Sequence, residues 1–240
     1  MGEKKIKKGT PKHKASPRQK KDWIAAYILI APLTIGLILF YIWPFIQNIW
    51  FSFNDVNKFN MSTFVGLDNY KQLFTDREVW RSFGNTLKYV IVTVPVGLFL
   101  SIVLAALLNA QIKFKSIYRT LYFLPSVTMS AAVAMVWKWM YNEQMGILNN
   151  AIKALGGKGH NWITDPKTAL FMIMIVGLWM TVGYNMIILL AGMQGINKSY
   201  YEAAKVDGAG PITLFLKITV PLLTPTIFFN LVMQIINGFL

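Results

Sequence analysis

The sequence has no cysteine, only two histidines and few charged residues. Without cysteine the chain cannot form a disulfide, a thiolate metal site or a cysteine nucleophile. His13 and His160 have no second ligand at metal-binding spacing, so we expect a metal site at neither. Charged residues make up 14% of the 240 residues, with 10 Asp and Glu against 24 Lys and Arg. This composition excludes an average soluble domain.

A nucleotide-binding motif is also missing. The nearest candidate is the glycine-rich segment 156–159, which contains Lys158. A Walker A motif would require glycine where Ile152 stands and serine or threonine where Gly159 stands. We therefore expect the chain to bind no nucleotide or other cofactor, to have no catalytic residues and to hydrolyse no ATP.

Hydrophobic residues, by contrast, make up 55% of the chain and are grouped in long stretches. A helix needs about 20 residues to cross a hydrocarbon core of about 30 Å. Stretches of this kind occur at residues 24–50, 86–109, 119–141, 168–193 and 222–240. The sequence therefore predicts an all-α, polytopic transmembrane bundle over residues 23–240, in contact with membrane lipid.

Basic residues predict the orientation of this bundle. Nine of the 24 Lys and Arg lie in the first 21 residues, and the connections at 110–118 and 194–221 are basic as well. The alternate connections, 51–85 and 142–167, are nearly neutral. Because basic loops stay in the cytoplasm, we predict a multi-pass protein of the cytoplasmic membrane with its amino terminus inside.

Residues 1–22 are predicted to form a basic cytoplasmic tail. Residues 1–21 of this tail are predicted to be disordered, because they are rich in lysine and have almost no apolar residues. No aromatic residue lies between the lysines, so nucleic acid is not expected as a partner. The apolar stretch after Trp23 is longer than the 7 to 15 residues of a signal-peptide core. We therefore expect the first span to remain in the mature protein.

A polar segment at about 196–221 separates the last two spans. It reads Glu202-Ala203-Ala204, three residues, Gly208, nine residues, then Ile218-Thr219-Val220-Pro221. This spacing resembles the EAA loop of ABC-type importer permeases, with Val220 in place of the family's leucine. In that family the loop forms a cytoplasmic coupling helix that docks on an ATPase subunit. The resemblance implies ATPase coupling for Glu202, Ala203, Ala204, Asp207 and Gly208.

The local chemistry of this segment also predicts a short helix. Ser199 and Glu202 have the spacing of a capping box at a helix start. Gly208 followed by Pro211 is typical of a helix that ends where another begins.

Other segments resemble one branch of this family, the permeases for oligosaccharides, glycerol phosphodiesters and related polyols. They are Ala31-Pro32 with Tyr41–Pro44, Phe64–Tyr70, Arg119–Pro125 with Trp137–Trp139, and Tyr201–Ala209. The resemblance implies a type I ABC importer permease, whose core has six helices. Five spans are visible, the last apparently cut off at Leu240, and the expected sixth is absent. Whether this reflects truncation or omission stays open.

The resemblance also implies partners. They are a second homologous permease, a dimer of ABC ATPases that uses ATP and Mg, and an external solute-binding protein. The chain itself is then no enzyme. A sugar or oligosaccharide is the expected solute. A peptide, phosphate or glycerol phosphodiester remains an alternative, as does a non-transporting membrane assembly factor or channel.

Polar side chains within the last two spans are candidates for a solute pathway, because such groups are costly in a membrane. Asn230, Gln234 and Asn237 fall on one face of the fifth span, and Thr181, Tyr184 and Asn185 lie together on the fourth. Amides and an aromatic ring suit a neutral sugar. The alternative is that these groups bind neighbouring helices and hold the bundle together.

Overall fold

The computed structural model describes residues 16–56, 62–110 and 112–239, which are mainly helical. Most of the predicted tail, residues 1–15, therefore lies outside the described residues. The chain divides into two compact units, Met1–Val79 and Trp80–Leu240, which are described in turn.

The first unit contains one long apolar helical segment, Arg18–Ser52. It is built from α1 (Pro17–Leu37), a first π-helical turn (Ile38–Ile42) and α2 (Trp43–Ser52). The widened turn comes just before Pro44, which has no N–H to bond to a carbonyl four residues back. This segment confirms the first predicted span but begins earlier than predicted.

The early start of α1 has a local cause. Ser16 and Gln19 form a capping box, in which Ser16 Oγ accepts from the Gln19 N–H at 3.3 Å and Gln19 Oε1 accepts from the Ser16 N–H at 2.9 Å. Pro17 then occupies the first helical position, where no N–H is required. The expectation of disorder is therefore wrong for residues 17–21.

The rest of the first unit is a small folded segment where sequence analysis expected a loop. Strands β1 (Asn54–Val56) and β2 (Ser62–Phe64) pair antiparallel, and helix α3 (Asp68–Thr75) follows. Asn69 Nδ2 donates to the carbonyls of Ser52 and Asn54 at 3.0 and 2.9 Å. These bonds give a structural reason for the asparagine at position 69, in the first turn of α3.

The second unit holds the remaining helices, and the unit boundary falls in the first turn of the first of them. They are α4 (Arg77–Asn109), α5 (Lys115–Val127), α6 (Ser130–Met140), α7 (Ile147–Ala154), α8 (Ala169–Gln194), α9 (Lys198–Val206), α10 (Pro211–Leu214) and α11 (Val220–Phe239). A second π-helical turn, Phe215–Thr219, joins α10 to α11. Pro211–Phe239 is thus one span, which begins 11 residues before the predicted 222–240.

The predicted third span, 119–141, is not one straight helix. Helices α5 and α6 meet at 96°, and Thr128 between them is extended. Pro125 has no N–H that could donate to the carbonyl one turn back. Close to the bend, the hydroxyl of Thr128 donates to the Leu124 carbonyl at 2.8 Å. Among the described residues, four helical segments are long and apolar enough to span a membrane, or five when the bent pair counts as one.

The core of the second unit lies where α4, α8 and α11 meet. Its buried residues are Ala105, Leu108, Met186, Leu189, Leu190, Met193 and Leu223. Ser101 Oγ of α4 donates to the Val182 carbonyl of α8 at 3.1 Å. Small residues bring the helices close: a side chain at Gly183 would overlap the backbone of Tyr122 in α5. This packing gives α8 fixed neighbours on three sides.

The connection between α6 and α8 is organised around one buried asparagine. Asn149 Oδ1 accepts from the His160 N–H at 3.0 Å and from Trp162 Nε1 at 2.9 Å. Its Nδ2 donates to the carbonyls of Asn142, Glu143 and His160. The side chain of His160 lies 3.0 Å from Asp165. The predicted outer loop 142–167 is therefore a folded element.

Candidate functional site

The first candidate region is the coupling segment, residues 197–221, which contains α9 and α10. Helix α9 is short and largely exposed. Four of the predicted coupling residues, Glu202, Ala203, Asp207 and Gly208, are exposed, and Ala204 is half-buried. These side chains and backbone groups are therefore accessible to another protein.

The start of α9 differs from the prediction. Asn197 is the N-cap, and its Oδ1 accepts from the Ser199 N–H at 3.0 Å. The predicted capping box of Ser199 with Glu202 is wrong, because Ser199 already lies inside the helix. Glu202 is consequently not needed for capping, and its carboxylate is exposed on the surface of α9.

The end of α9 is a Schellman motif that depends on Gly208. Gly208 has φ of +78°, in the left-handed region, and its N–H donates to the Lys205 carbonyl at 3.0 Å. The Ala209 N–H donates to the Ala204 carbonyl at 2.9 Å. Nothing lies within 4 Å of where a Cβ would be, so the backbone alone requires glycine. The predicted helix end at Gly208 and new start at Pro211 are confirmed.

One side-chain contact connects α9 to the residue just before α11. The hydroxyls of Tyr201 and Thr219 lie 3.0 Å apart, and Thr219 is buried. Sequence analysis missed this pair, although both residues lie within the coupling segment. Thr219 belongs to the second π-helical turn, so the contact joins the exposed helix to the start of the last span.

The second candidate region is a central cavity of about 290 Å³ between α4, α5, α8 and α11. It is lined by Tyr89, Thr93, Val94, Ser126, Met180, Thr181, Tyr184, Asn185, Gln234, Asn237 and Gly238. Five of the six predicted pathway residues are therefore brought together. No lining residue is charged. The volume is just below the roughly 300–1,000 Å³ of ligand pockets.

The sixth predicted residue, Asn230, does not line this cavity. It is 1% exposed and lies one helical turn before Gln234, deeper in the contact with neighbouring helices. Its Nδ2 atom has no hydrogen-bond partner among the described residues. The helical spacing placed Asn230 on the correct face, but the cavity does not extend that far along α11.

Gln234 is the most informative cavity residue. Its Nε2 atom is buried and has no hydrogen-bond partner among the described residues. Leaving such a donor unpaired costs about 1–3 kcal/mol unless a water or a solute meets it. Its Oε1 atom lies 3.0 Å from where a Cβ on Gly97 would be, so a glycine in α4 leaves room for this amide.

Sequence analysis missed three polar lining residues: Tyr89, Thr93 and Ser126. The hydroxyls of Thr93 and Ser126 donate to carbonyls of their own helices, both at 2.7 Å. Their oxygens still have lone pairs for a further donor. Tyr89 and Thr93 lie four residues apart on α4, a spacing that could have placed both on one face.

Several apolar spans, an accessible short helix between two of them and an uncharged polar cavity within the helices define a membrane transport subunit. The chain belongs to the family of binding-protein-dependent transport system inner membrane components, whose sequence model matches residues 83–240. It is thus a permease subunit of the cytoplasmic membrane, as the sequence predicted.

Two curated relatives illustrate the family. The probable ABC transporter permease protein YesP of Bacillus subtilis is 39% identical over 235 residues, which cover 97% of this chain and 75% of that protein. The sn-glycerol-3-phosphate transport system permease protein UgpA of Pectobacterium atrosepticum is 32% identical over 226 residues, covering 93% and 75%.

Two solved structures resemble the fold. One is a bacterial ABC transporter involved in the import of the acidic polysaccharide alginate, with a TM-score of 0.80, 26% identity, and coverage of 90% of this chain and 73% of that one. The other is a bacterial alginate ABC transporter in complex with an alginate pentasaccharide-bound periplasmic protein, with a TM-score of 0.79, 26% identity, and coverage of 90% and 72%. The predicted all-α permease fold is confirmed.

Proposed function

We propose that this chain is the transmembrane permease of an ATP-driven importer for a neutral sugar or oligosaccharide. The observation that carries this proposal is the central cavity, which combines two tyrosines with three uncharged amides. Amides both donate and accept hydrogen bonds, and an aromatic ring packs against the apolar face of a pyranose. One relative is named for sn-glycerol-3-phosphate and one structural neighbour for the acidic polysaccharide alginate; both solutes are polyhydroxylated, which supports the polyhydroxylated part of this proposal.

The absence of charge in the cavity lining discriminates between solutes. Phosphate, glycerol phosphodiesters and acidic sugars carry a negative charge, which in a cavity within a membrane calls for lysine, arginine or a comparable partner. None of the 11 residues that line the central cavity is charged. We therefore place a neutral polyhydroxylated solute ahead of these alternatives and ahead of a peptide, which carries charged termini.

The proposed assembly contains a second homologous permease, a dimer of ABC ATPases and an external solute-binding protein. The ATPases bind ATP and Mg, whereas this chain binds no nucleotide and catalyses no reaction. Its amino terminus faces the cytoplasm, on the same side as α9. The surface that α9 presents, with Glu202, Ala203, Ala204, Asp207 and Gly208, is the proposed ATPase contact.

Transport then requires the conformations of the coupling segment and the central cavity to change together. Closure of the ATPase dimer would move α9, and the contact between Tyr201 and Thr219 connects α9 to the start of α11. The same helix carries Gln234 and Asn237 into the cavity. Solute release follows if the solute binds the inward and outward states with different free energies.

Replacing Gln234 by leucine in the assembled complex tests the proposal. Uptake of neutral and anionic sugars is measured in proteoliposomes that contain both permeases and the ATPase, with the binding protein supplied outside. Loss of one neutral hydrogen bond, roughly 0.5 to 1.5 kcal/mol, should raise the KM for a neutral sugar about two- to twelvefold. Met233→Leu, one residue away and outside the cavity lining, is the matched control.

Each alternative gives a different result. If Gln234→Leu prevents assembly while Met233→Leu does not, the amide holds the bundle together and does not contact solute. If the wild-type complex takes up only anionic sugars or peptides, the solute class is wrong. Ion flow without ATP would instead indicate a channel, and the absence of any uptake with normal assembly would indicate an assembly factor.

A further inference from the structure

A second cavity, of about 420 Å³, lies next to the central one between α4, α6 and α8. We call it the outer cavity, because it lies toward the start of α8 and includes Ile163 from the predicted outer loop. Its walls are mainly apolar and aromatic. Trp137 packs against Tyr141 with ring centroids 5.3 Å apart, and Lys138 also lines this cavity.

The two cavities have two lining residues in common, Tyr89 of α4 and Met180 of α8. A residue that lines two neighbouring cavities lies between them. The order of the lining residues along α8 agrees with this position. Val176 and Gly177 line only the outer cavity, and Tyr184 lines only the central one. Tyr89 therefore stands at the boundary between an apolar space and a polar one.

Tyr89 can occupy this boundary only because α8 has a glycine opposite its hydroxyl. A Cβ placed on Gly177 would overlap the Tyr89 hydroxyl and would lie 3.2 Å from Cζ of the ring. Any side chain at position 177 would thus push the ring of Tyr89 away. The position of the ring depends on a residue of another helix, 88 positions along the chain.

We propose that Tyr89 is the partition between the outer and central cavities, and that its packing on Gly177 determines which solutes pass. This inference rests on the proposed function, because it assumes a solute that moves between the cavities. The outer cavity offers aromatic faces but few hydrogen-bonding groups, so a sugar would be held there only weakly. The amides of the central cavity would hold it more strongly once it has passed the ring.

The first test moves the ring and then relieves the overlap. Gly177→Ala should reduce sugar uptake about fivefold or more, because overpacking displaces Tyr89 into the passage. Adding Tyr89→Phe removes the overlapping hydroxyl and should restore at least about half of the wild-type uptake, since a 3.2 Å contact with Cζ needs only a small shift. The readout is sugar transported per ATP hydrolysed, because misassembly would lower both quantities together.

Gly192→Ala is the matched control. Its Cβ would lie 2.8 Å from Leu223 and 2.9 Å from Thr226, so it overpacks α8 against α11 away from both cavities. Tyr89→Phe should not rescue this variant. The proposal is overturned if Tyr89→Phe fails to restore uptake to Gly177→Ala, or if it rescues Gly192→Ala equally well.

A second variant keeps the proposal testable if Gly177→Ala does not assemble. Tyr89→Ala removes the partition, so uptake of a trisaccharide relative to a monosaccharide should rise at least about threefold. An unchanged ratio would overturn the partition. The proposed function fails separately: if the wild-type complex imports no sugar, the solute class is wrong, whereas normal wild-type import with no effect of these variants contradicts only the role of Tyr89.

Discussion

The coupling segment and the central cavity are held in place in opposite ways. The coupling segment is continuous in sequence, exposed, and shaped by its backbone through the Asn197 cap and the left-handed Gly208. The central cavity is assembled from four helices, and its shape comes from side chains and from glycines in neighbouring helices. A backbone change should therefore disable the first region, whereas the second should respond in graded steps.

The side of the membrane on which the coupling segment lies gives the largest expected effect, because cysteine labelling is all or none. In this cysteine-free chain, cysteine introduced at the exposed Gln144 should react with an impermeant maleimide added outside whole cells. Cysteine at the exposed Ser199, beside the coupling residues, should react only after the membrane is opened. The reverse labelling pattern would refute the predicted orientation.

Gly208→Val should abolish coupling. A β-branched residue at φ of +78° costs more than the roughly 1–2 kcal/mol of an ordinary residue in the left-handed region, so the Schellman motif should open. We expect binding-protein-stimulated ATP hydrolysis to be lost while membrane insertion remains. Gly210→Val is the control, because Gly210 has φ of −75° and open space around it. Normal stimulation in Gly208→Val would contradict this view of the coupling segment.

Gly97→Ala should have an intermediate effect on the cavity. The added Cβ would lie 3.0 Å from Gln234 Oε1 and 3.2 Å from Leu178, so the amide must shift by a few tenths of an ångström. A misplaced hydrogen bond weakens binding by roughly 1 kcal/mol, which corresponds to about a fivefold higher KM for uptake. The Gly97→Ala change should have no further effect on KM in a Gln234→Leu background. Additive changes in the double variant would show that Gly97 acts by another route.

Tyr201→Phe should give the smallest effect, because it removes one partly buried hydrogen bond between two neutral groups. Because the bond is only partly buried, we expect a cost at the lower end of the roughly 0.5 to 1.5 kcal/mol of a neutral hydrogen bond, seen as a lower ratio of solute transported to ATP hydrolysed. Tyr200→Phe, on the exposed neighbouring residue, is the control. Equal effects of both variants would mean that the contact with Thr219 does not link the two regions.

The sequence predicted the coupling segment well because its determinants are local. The glycine, the proline and the spacing between them specify a helix end and a new start with little help from the rest of the fold. The one local error concerned the N-cap, where Asn197 and Ser199 are both suitable residues two positions apart. Backbone geometry, which the sequence does not display, decides between them.

The cavity was predicted only in part because its determinants are distant in sequence. Side-chain type and helical spacing identified Tyr184 and Gln234, but only the packing of α4 on α8 shows that Tyr89 belongs with them. For the break between α5 and α6, Pro125 predicted a local interruption of the backbone hydrogen bonds, as a hinge or a kink, but not the 96° bend. Proline inside an apolar stretch predicts either a kink or a break, and neighbouring helices decide which of the two forms.

The second π-helical turn has a consequence for how the last helix is oriented. Within it the Thr219 hydroxyl donates to the Leu214 carbonyl, five residues back, at 3.4 Å. A π turn holds one residue more than an α turn, and one residue corresponds to about 100° of rotation around a helix axis. The side chains of α11 are therefore rotated about the helix axis relative to those of α10 by the angle of this one extra residue. Without the extra residue, Gln234 and Asn237 would be rotated by roughly a quarter turn away from the cavity.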